Sequence, residues 1–337
     1  MKILILGANG FIGSHLSEEI LDKTDWQIYA MDLADDKLSA CLAHDRFHFF
    51  IGDMLKEKNW IRERVKECDV ILPLVAVATP ALYVQDPLRV FELDFEANLE
   101  IVRLCAEYKK RVIFPSTSEV YGMCTDTEFD EEKSHLVTGP IHRERWIYST
   151  SKQLMDRVIY AMGKHQDLAF SLFRPFNWYG PRLDNVFNPK PGGSRVLTQF
   201  IGNILRGENI NLVGGGLQQR CFTYIDDGIN ALMRIIENKN NVAHNQIFNV
   251  GNPTENISIR QLAEMLVQMI IANYPKYADA ASNVKLLDVD AKNYFGEGYQ
   301  DVSLRVPSIQ RARDVLNWEP RIAVMEGLKK TLDFYLN

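Results

Sequence analysis

A tyrosine and a lysine four positions apart, Tyr148 and Lys152 in Tyr148-Ser-Thr-Ser-Lys152, are the side chains of this sequence best suited to move a proton. On a helix, positions i and i+4 share a face, so a phenol and an ammonium at this spacing point at one substrate atom. Tyrosine ordinarily titrates near ~10. A neighbouring ammonium favours the phenolate, so the pair can take a proton from an alcohol while a cofactor takes a hydride. Alone the pattern is weak, because Tyr-x-x-x-Lys is common on helix surfaces as a solvated pair. Its weight depends on what lies upstream.

The chain opens with the apolar run Lys2-Ile-Leu-Ile-Leu6, followed by Gly7-Ala-Asn-Gly10-Phe-Ile-Gly13 and a helical pattern through Leu21. Strand, glycine turn and helix form the first half of a βαβ unit. Glycines let the backbone approach a pyrophosphate, and the helix N-terminus offers free N–H groups and the positive end of its dipole. Gly7, Asn9, Gly10, Phe11, Ile12 and Gly13 are therefore the candidate nucleotide cradle, with Gly-x-x-Gly-x-x-Gly spacing rather than G-x-G-x-x-G. The second apolar strand, Gln27-Ile-Tyr-Ala-Met31, ends at Asp32, nineteen residues after Gly13. An acid there accepts hydrogen bonds from the adenosine ribose and repels a 2′-phosphate. No arginine follows at once, so the expected cofactor is NAD rather than NADP. Asp53, after the strand Phe47-His-Phe-Phe-Ile51, is placed to meet the adenine, and it reads equally well as a turn or helix cap.

A chain of 337 residues suffices for two domains or for one large α/β domain with an appended lobe. A formal charge of −6 offers no basic face to nucleic acid. Cysteines 41, 68, 105, 124 and 221 show no Cys-x-x-Cys spacing, which argues against a disulfide framework and a zinc site and for a reducing compartment. The seven histidines have no metal spacing either, so no metal is expected. No run approaches the ~20 apolar residues of a membrane span. The expectation is a cytoplasmic enzyme without nucleic-acid or membrane partners.

Strand patterns near 2–6, 27–31, 47–51, 69–75, 111–115 and 168–173 alternate with helical ones near 10–22, 55–67, 88–109 and 146–164. Apolar strands separated by helices imply a Rossmann-type, doubly wound parallel sheet covered on both faces. Residues 1–175 are assigned to this nucleotide-binding domain and 176–337 to a smaller substrate-binding lobe, with 221–251 returning to the sheet as strand–helix–strand. Asn185–Ser194 reads as a long loop, and further helices are expected near 195–206, 258–273 and 308–317. The 88–109 and Tyr148 helices carry apolar residues beyond one stripe, which suggests a homodimer interface. Arg195 and Arg220 are candidate phosphate clamps, since guanidinium binds phosphate in bidentate fashion, and Asn177, after the strand-ending Arg174-Pro-Phe176, can reach the same ligand.

The Gly7–Gly13 turn, Thr117-Ser-Glu-Val-Tyr-Gly122, Tyr148–Lys152 and Arg174-Pro-Phe-Asn177 together resemble the extended short-chain dehydrogenase/reductase family of nucleotide-sugar enzymes, over essentially the whole chain. Within that family the chain is similar to the UDP-glucuronic acid decarboxylases found as one half of bifunctional polymyxin-resistance enzymes. The stretches concerned are Pro115-Ser-Thr-Ser-Glu-Val-Tyr-Gly-Met-Cys124, Arg145-Trp-Ile-Tyr148, Phe173-Arg-Pro-Phe-Asn-Trp178, Gln219-Arg-Cys-Phe-Thr223 and Gly298-Tyr-Gln-Asp-Val302. The formyltransferase half is absent, so the resemblance implies decarboxylation alone.

It implies that Tyr148 takes the proton of the sugar 4-hydroxyl while NAD+ accepts the C4 hydride, that the ketone lets CO2 leave, and that protonation at C5 gives a UDP-4-keto-pentose. Thr117 would hydrogen-bond the 4-oxygen and Ser118 the sugar acid. By residue type, Glu119 is a cap or solvated carboxylate and Arg305 a surface ion pair; the resemblance makes Glu119 the proton acceptor and Arg305 the partner of the C6 carboxylate. Guanidinium is a poor acid, its pKa exceeding ~12, so Arg305 is expected to act electrostatically. Ala78, Tyr83, Arg145 and Tyr299 match substrate contacts of the family, whereas Asn211 stands where the relative carries lysine. Other readings are a UDP-xylose synthase, which reduces its ketone with retained NADH, another nucleotide-sugar epimerase or dehydratase, and a non-catalytic NAD sensor. A 4,6-dehydratase usually has Asp where Ser118 stands.

Overall fold

The computed structural model describes residues 1–188, 194–295, 300–302 and 304–337. Its centre is a seven-stranded parallel sheet built from β1 (Lys2–Leu6), β2 (Gln27–Asp32), β3 (Phe47–Ile51), β4 (Val70–Pro73), β5 (Arg111–Pro115), β6 (Phe170–Pro175) and, far along the chain, β11 (Gln246–Val250). The spatial order is β11-β6-β5-β4-β1-β2-β3. This is the Rossmann-type order, in which the chain reverses direction across the sheet between β1 and β4.

The unbroken apolar run of β1 follows from burial on both faces. Ile3 and Ile5 join the core under α1 (Phe11–Lys23) and α8 (Ile225–Glu237). Leu4 and Leu6 point the other way, into the core under α2 (Lys58–Glu67), α5 (Asn98–Glu107) and α6 (Trp146–Gln166). All four are fully buried, each such side chain contributing roughly 1.5–3 kcal/mol.

The helix expected over 88–109 is segmented. Proline opens both α3 (Pro80–Gln85) and α4 (Pro87–Phe91), a residue pre-set for the first helical turn. A π-helical turn, Glu92–Ala97, then leads into α5. The amide of Asn98 closes it, donating to Leu93 O at 2.8 Å and to Val75 O at 3.2 Å.

The remaining strands pair outside the central sheet. Short strands pair as β7 (Trp178–Tyr179) with β10 (Thr223–Tyr224), β8 (Ile210–Val213) with β13 (Leu286–Val289), and β9 (Gln219–Cys221) with β12 (Asn256–Ser258). The strand–helix–strand expected over 221–251 is thus divided: β11 lies beside β6 in the central sheet, while β9 and β10 pair outside it. Helices α7 (Val196–Leu205) and α9 (Ile259–Asn273) match expectation, the latter opened by a reciprocal Ser258–Gln261 capping box. Between α10 (Pro275–Asn283) and α13 (Val324–Leu336), neither of them anticipated, lie α11 (Ala291–Phe295) and α12 (Gln310–Leu316). Among the described residues no helix is long and apolar enough to cross a membrane.

Candidate active site

The glycine turn sits where β1 meets α1. Gly7 has φ +89°, and a Cβ on it would lie 3.0 Å from Val75 N in the chain leaving β4. A Cβ on Gly13 would lie 2.4 Å from Gly7 O, so the first turn of α1 packs on the loop only because no side chain intervenes. Among the described residues no side chain caps the start of α1 at Gly10, and Phe11 and Ile12 border the cleft. At the end of β2, Asp32 accepts N–H bonds from Asn9 at 2.8 Å and Leu33 at 2.7 Å. Burial pushes its carboxyl up, and these two N–H groups pull it back. Asp53 caps the next turn through Leu55 N–H at 3.0 Å, and Gly52 N–H donates to Asp32 O at 2.9 Å, so the two acids share one edge.

This cradle fits NAD. A glycine floor that a Cβ would fill and an uncapped helix start suit a pyrophosphate, which Gly7 and Asn9–Gly13 could hold, while Asp32 could take the ribose and Asp53 the adenine.

A cleft of about 800 Å³ runs from Phe11 and Ile12 to α7 and β9, and it is bordered by Ala78, Tyr83, Thr117, Ser118, Glu119, Arg145, Tyr148, Asn177, Arg195, Arg220 and Arg305. Eight of the sequence-derived substrate positions thus converge in one space; the ninth, Tyr299, lies outside the described residues. Asn211 also borders it.

Tyr148 is buried on α6, its ring stacked on Tyr83 at 4.5 Å between centroids and 6° between planes. Burial pushes its phenol well above the ordinary value, Asp94 pushes the same way, and a hydrogen bond with Thr117 opposes them. Thr117 also accepts Glu119 N–H at 3.2 Å, so its hydroxyl serves the local turn as well as the tyrosine. Lys152, one turn further along α6, places Nζ 3.1 Å from Pro115 O, 3.3 Å from Asp94 Oδ1 and 5.9 Å from the Tyr148 ring centroid. The simple expectation that Lys152 depresses Tyr148 therefore needs correction. Asp94 meets the ammonium directly and offsets its field.

Glu119 lies in the turn Ser118–Tyr121 after β5 and bridges two guanidiniums, Arg145 Nη2 at 2.6 Å and Arg305 Nη1 at 2.5 Å. Burial would raise this carboxyl, but Arg145 and Arg305 outweigh it and hold it at about 2. Arg145 also donates to Gln300 O at 2.7 Å, fastening α6 to the C-terminal segment. Arg220 is held by Asp301 at 2.7 Å and Arg195 by Asp184 at 2.9 Å, so both candidate phosphate clamps carry carboxylate partners in this state. Asn177, at φ +42°, spends its amide N–H on Cys221 O at 3.0 Å.

Sequence reasoning missed Asp94, Gln300, Asp301 and Asp184. The one signal for Asp94 was an acid inside the apolar run Val90-Phe-Glu-Leu-Asp-Phe95, and the π turn defeats any 3.6-residue count across it. Among the described residues, no group of His, Cys, Asp and Glu could hold a metal ion.

A Rossmann sheet, a glycine cradle beside an acid-ended β2 and a tyrosine–lysine helix define a class of nucleotide-dependent redox enzyme. The NAD dependent epimerase/dehydratase family matches residues 3–251, and the chain belongs to that family, as an extended short-chain dehydrogenase/reductase using NAD. Among solved structures, it is similar to the PbgP3 protein from Burkholderia pseudomallei, with 53% identity, a TM-score of 0.90, and coverage of 99% of this chain and 96% of that one. The UDP-glucuronic acid 4-epimerase from Bacillus cereus, solved with UDP-glucuronic acid and NAD, shares the fold at 23% identity and TM-score 0.80, with 99% of each chain covered. The UDP-glucose 4-epimerase from Thermotoga maritima, solved with UDP-glucose, does so at 22% identity and TM-score 0.80, with 99% of this chain and 98% of that one covered.

Proposed function

We propose that this enzyme oxidatively decarboxylates UDP-glucuronic acid to a UDP-4-keto-pentose and CO2. The observation that carries the reading is the pair of guanidiniums, Arg145 and Arg305, converging on Glu119 in the same cleft as Tyr148. A site that oxidises a sugar alcohol has no need of two buried arginines beside its base. A site that must hold a second carboxylate does.

Thr117 holds the sugar 4-oxygen and Tyr148 takes the 4-hydroxyl proton. When bound, NAD+ supplies the acceptor for the hydride leaving C4. The resulting ketone is β to the C6 carboxylate, so the C5–C6 bond breaks, CO2 leaves and the electron pair enters an enolate. Arg305 and Ser118 hold the carboxylate, and Arg305 then faces the enolate charge. Glu119 is a weak base while both arginines clamp it. A substrate carboxylate competing for Arg305 removes one clamp and raises its basicity, so that Glu119 takes up a proton, the equivalent of the one lost from the 4-hydroxyl, for return to C5. A proton delivered to C5 completes the product. Arg220, Arg195 and Asn177 hold the diphosphate, exchanging their present partners for phosphate oxygens, with Ala78 and Tyr83 against the sugar.

The test is product analysis by NMR with limiting NAD+, beside absorbance at 340 nm. A UDP-4-keto-pentose with one NADH per CO2 supports the reading. UDP-xylose without net NADH makes the enzyme a xylose synthase, and failure to oxidise UDP-glucuronic acid overturns the proposal.

The assembly we propose is a homodimer pairing the Pro87–Glu107 helical segment and α6 across a two-fold axis. Exposed Leu88, Leu154 and Tyr160 on these helices support it.

A further inference from the structure

The segmented helix places one acid where the reaction above gives it no task. π turns inside helices are frequent at functional sites, and the extra residue redirects the side chains it carries. Here the turn Glu92–Ala97 directs Asp94 into the interior, where it is fully buried. Its Oδ2 accepts Val77 N–H at 2.8 Å. Its Oδ1 has no hydrogen bond among the described residues and faces Lys152 Nζ at 3.3 Å. A buried ion pair is weak evidence for stability, since well-packed apolar residues often do as well. An acid retained there beside the lysine next to Tyr148 points to the chemistry instead.

We propose that Asp94 is a positioning residue that anchors the Lys152 ammonium beside Tyr148 and sets how readily Tyr148 gives up its proton. The inference rests on Tyr148 being the base of the reaction proposed above. The groups facing Tyr148 are Lys152 from its own helix, Tyr83 from α3, Asp94 from the π turn, Glu119 from the turn after β5, and Arg195 from the start of α7. The Thr117 hydroxyl is the neutral partner. Glu119 is already compensated by Arg145 and Arg305. Asp94 is therefore the anion whose removal leaves the Lys152 charge uncompensated, and Tyr148 then ionises more easily. Burial of both partners and the apolar Phe114 face, 4.8 Å from Lys152 Nζ, keep water from screening the effect.

The variant is Asp94→Asn, which removes the charge and keeps an oxygen for Val77 N–H. Tyrosines are replaced by fluorotyrosine, whose lowered pKa brings titration into reach. Tyr148 is then followed by 19F NMR in the NAD-free protein, with Tyr148→Phe assigning its signal. The variant should titrate lower than the parent by roughly 1 pH unit. In single-turnover NADH formation with UDP-glucuronic acid, the acid limb of the pH profile should move in the same direction. A lowered melting temperature with an unmoved Tyr148 titration would mean a merely structural role and overturn the proposal. If Asp94→Asn does not fold, Asp94→Ser carries the same titration, with the same two outcomes. Absence of NADH formation in the wild-type enzyme would remove the proposed reaction, while the 19F titration would still judge the coupling of Asp94 to Tyr148.

Discussion

Replacing Glu119 with Gln separates electrostatic from shape contributions at the arginine clamp. Holding this carboxyl at about 2 instead of its ordinary 4.5 stabilises the folded state by on the order of 3 kcal/mol at pH 7. The carboxyl is depressed on folding, so its contribution is complete above about 4.5 and disappears as pH falls through about 2. Glutamine keeps one acceptor for Arg145 or Arg305 but carries no charge. Urea unfolding should therefore show the variant roughly 3 kcal/mol less stable at pH 7, with more than half of that gap closed at pH 3. In single turnover, CO2 release should slow by about 10²–10⁴, with NADH formation affected much less. Equal stability at pH 7, a gap that does not shrink in acid, or CO2 release at the wild-type rate would refute the clamp argument.

Tyr148→Phe should abolish NADH and CO2 formation together while leaving the Kd for UDP-glucuronic acid nearly unchanged, as calorimetry can show, because only a hydroxyl is lost. Gly13→Ala drives a Cβ to 2.4 Å from Gly7 O, so NAD+ titration should give affinity at least roughly tenfold weaker, whatever the effect on folding. Asp32→Ala should cost NAD+ binding roughly 1.5–3 kcal/mol and narrow the preference over NADP+; tighter NADP+ than NAD+ binding by the wild type would contradict the assignment. Light scattering should find a dimer at micromolar concentration that Leu154→Glu dissociates, since a charge on the proposed two-fold face is left unpaired.

The first six strands and the nucleotide cradle were legible because each carries a local signal: continuous apolar runs, glycines at fixed spacing, an acid at a strand end. Lys2–Leu6 is unambiguous for this reason. Interruptions were less legible. A helix over 88–109 could be anticipated, but the π turn depends on Asn98 reaching Val75 O, a contact across chain segments that periodicity does not encode. α10, rich in Ala, offers little apolar stripe to detect. At the site, Tyr148 and Lys152 sit on a regular helix and Thr117 just past the end of β5, so all three could be placed, whereas the roles of Glu119 and Arg305 depended on resemblance. Their contact spans 186 positions. The partners that change the chemistry, Asp94 above all, come from elements brought together only by the fold.

That same span has a consequence for the order in which a nascent chain becomes competent. The glycine cradle, Tyr148, Lys152, Glu119 and Arg145 all leave the ribosome well before Arg305 and the Gln300 carbonyl that fastens Arg145. Until that later segment docks, Glu119 has only one of its two arginines, and the carboxylate end of the cleft is open. In the reaction proposed above, competence for the carbon–carbon bond-breaking step thus comes later in synthesis than the nucleotide cradle. A chain interrupted before Arg305 holds the residues of the nucleotide cradle but lacks the second guanidinium on Glu119.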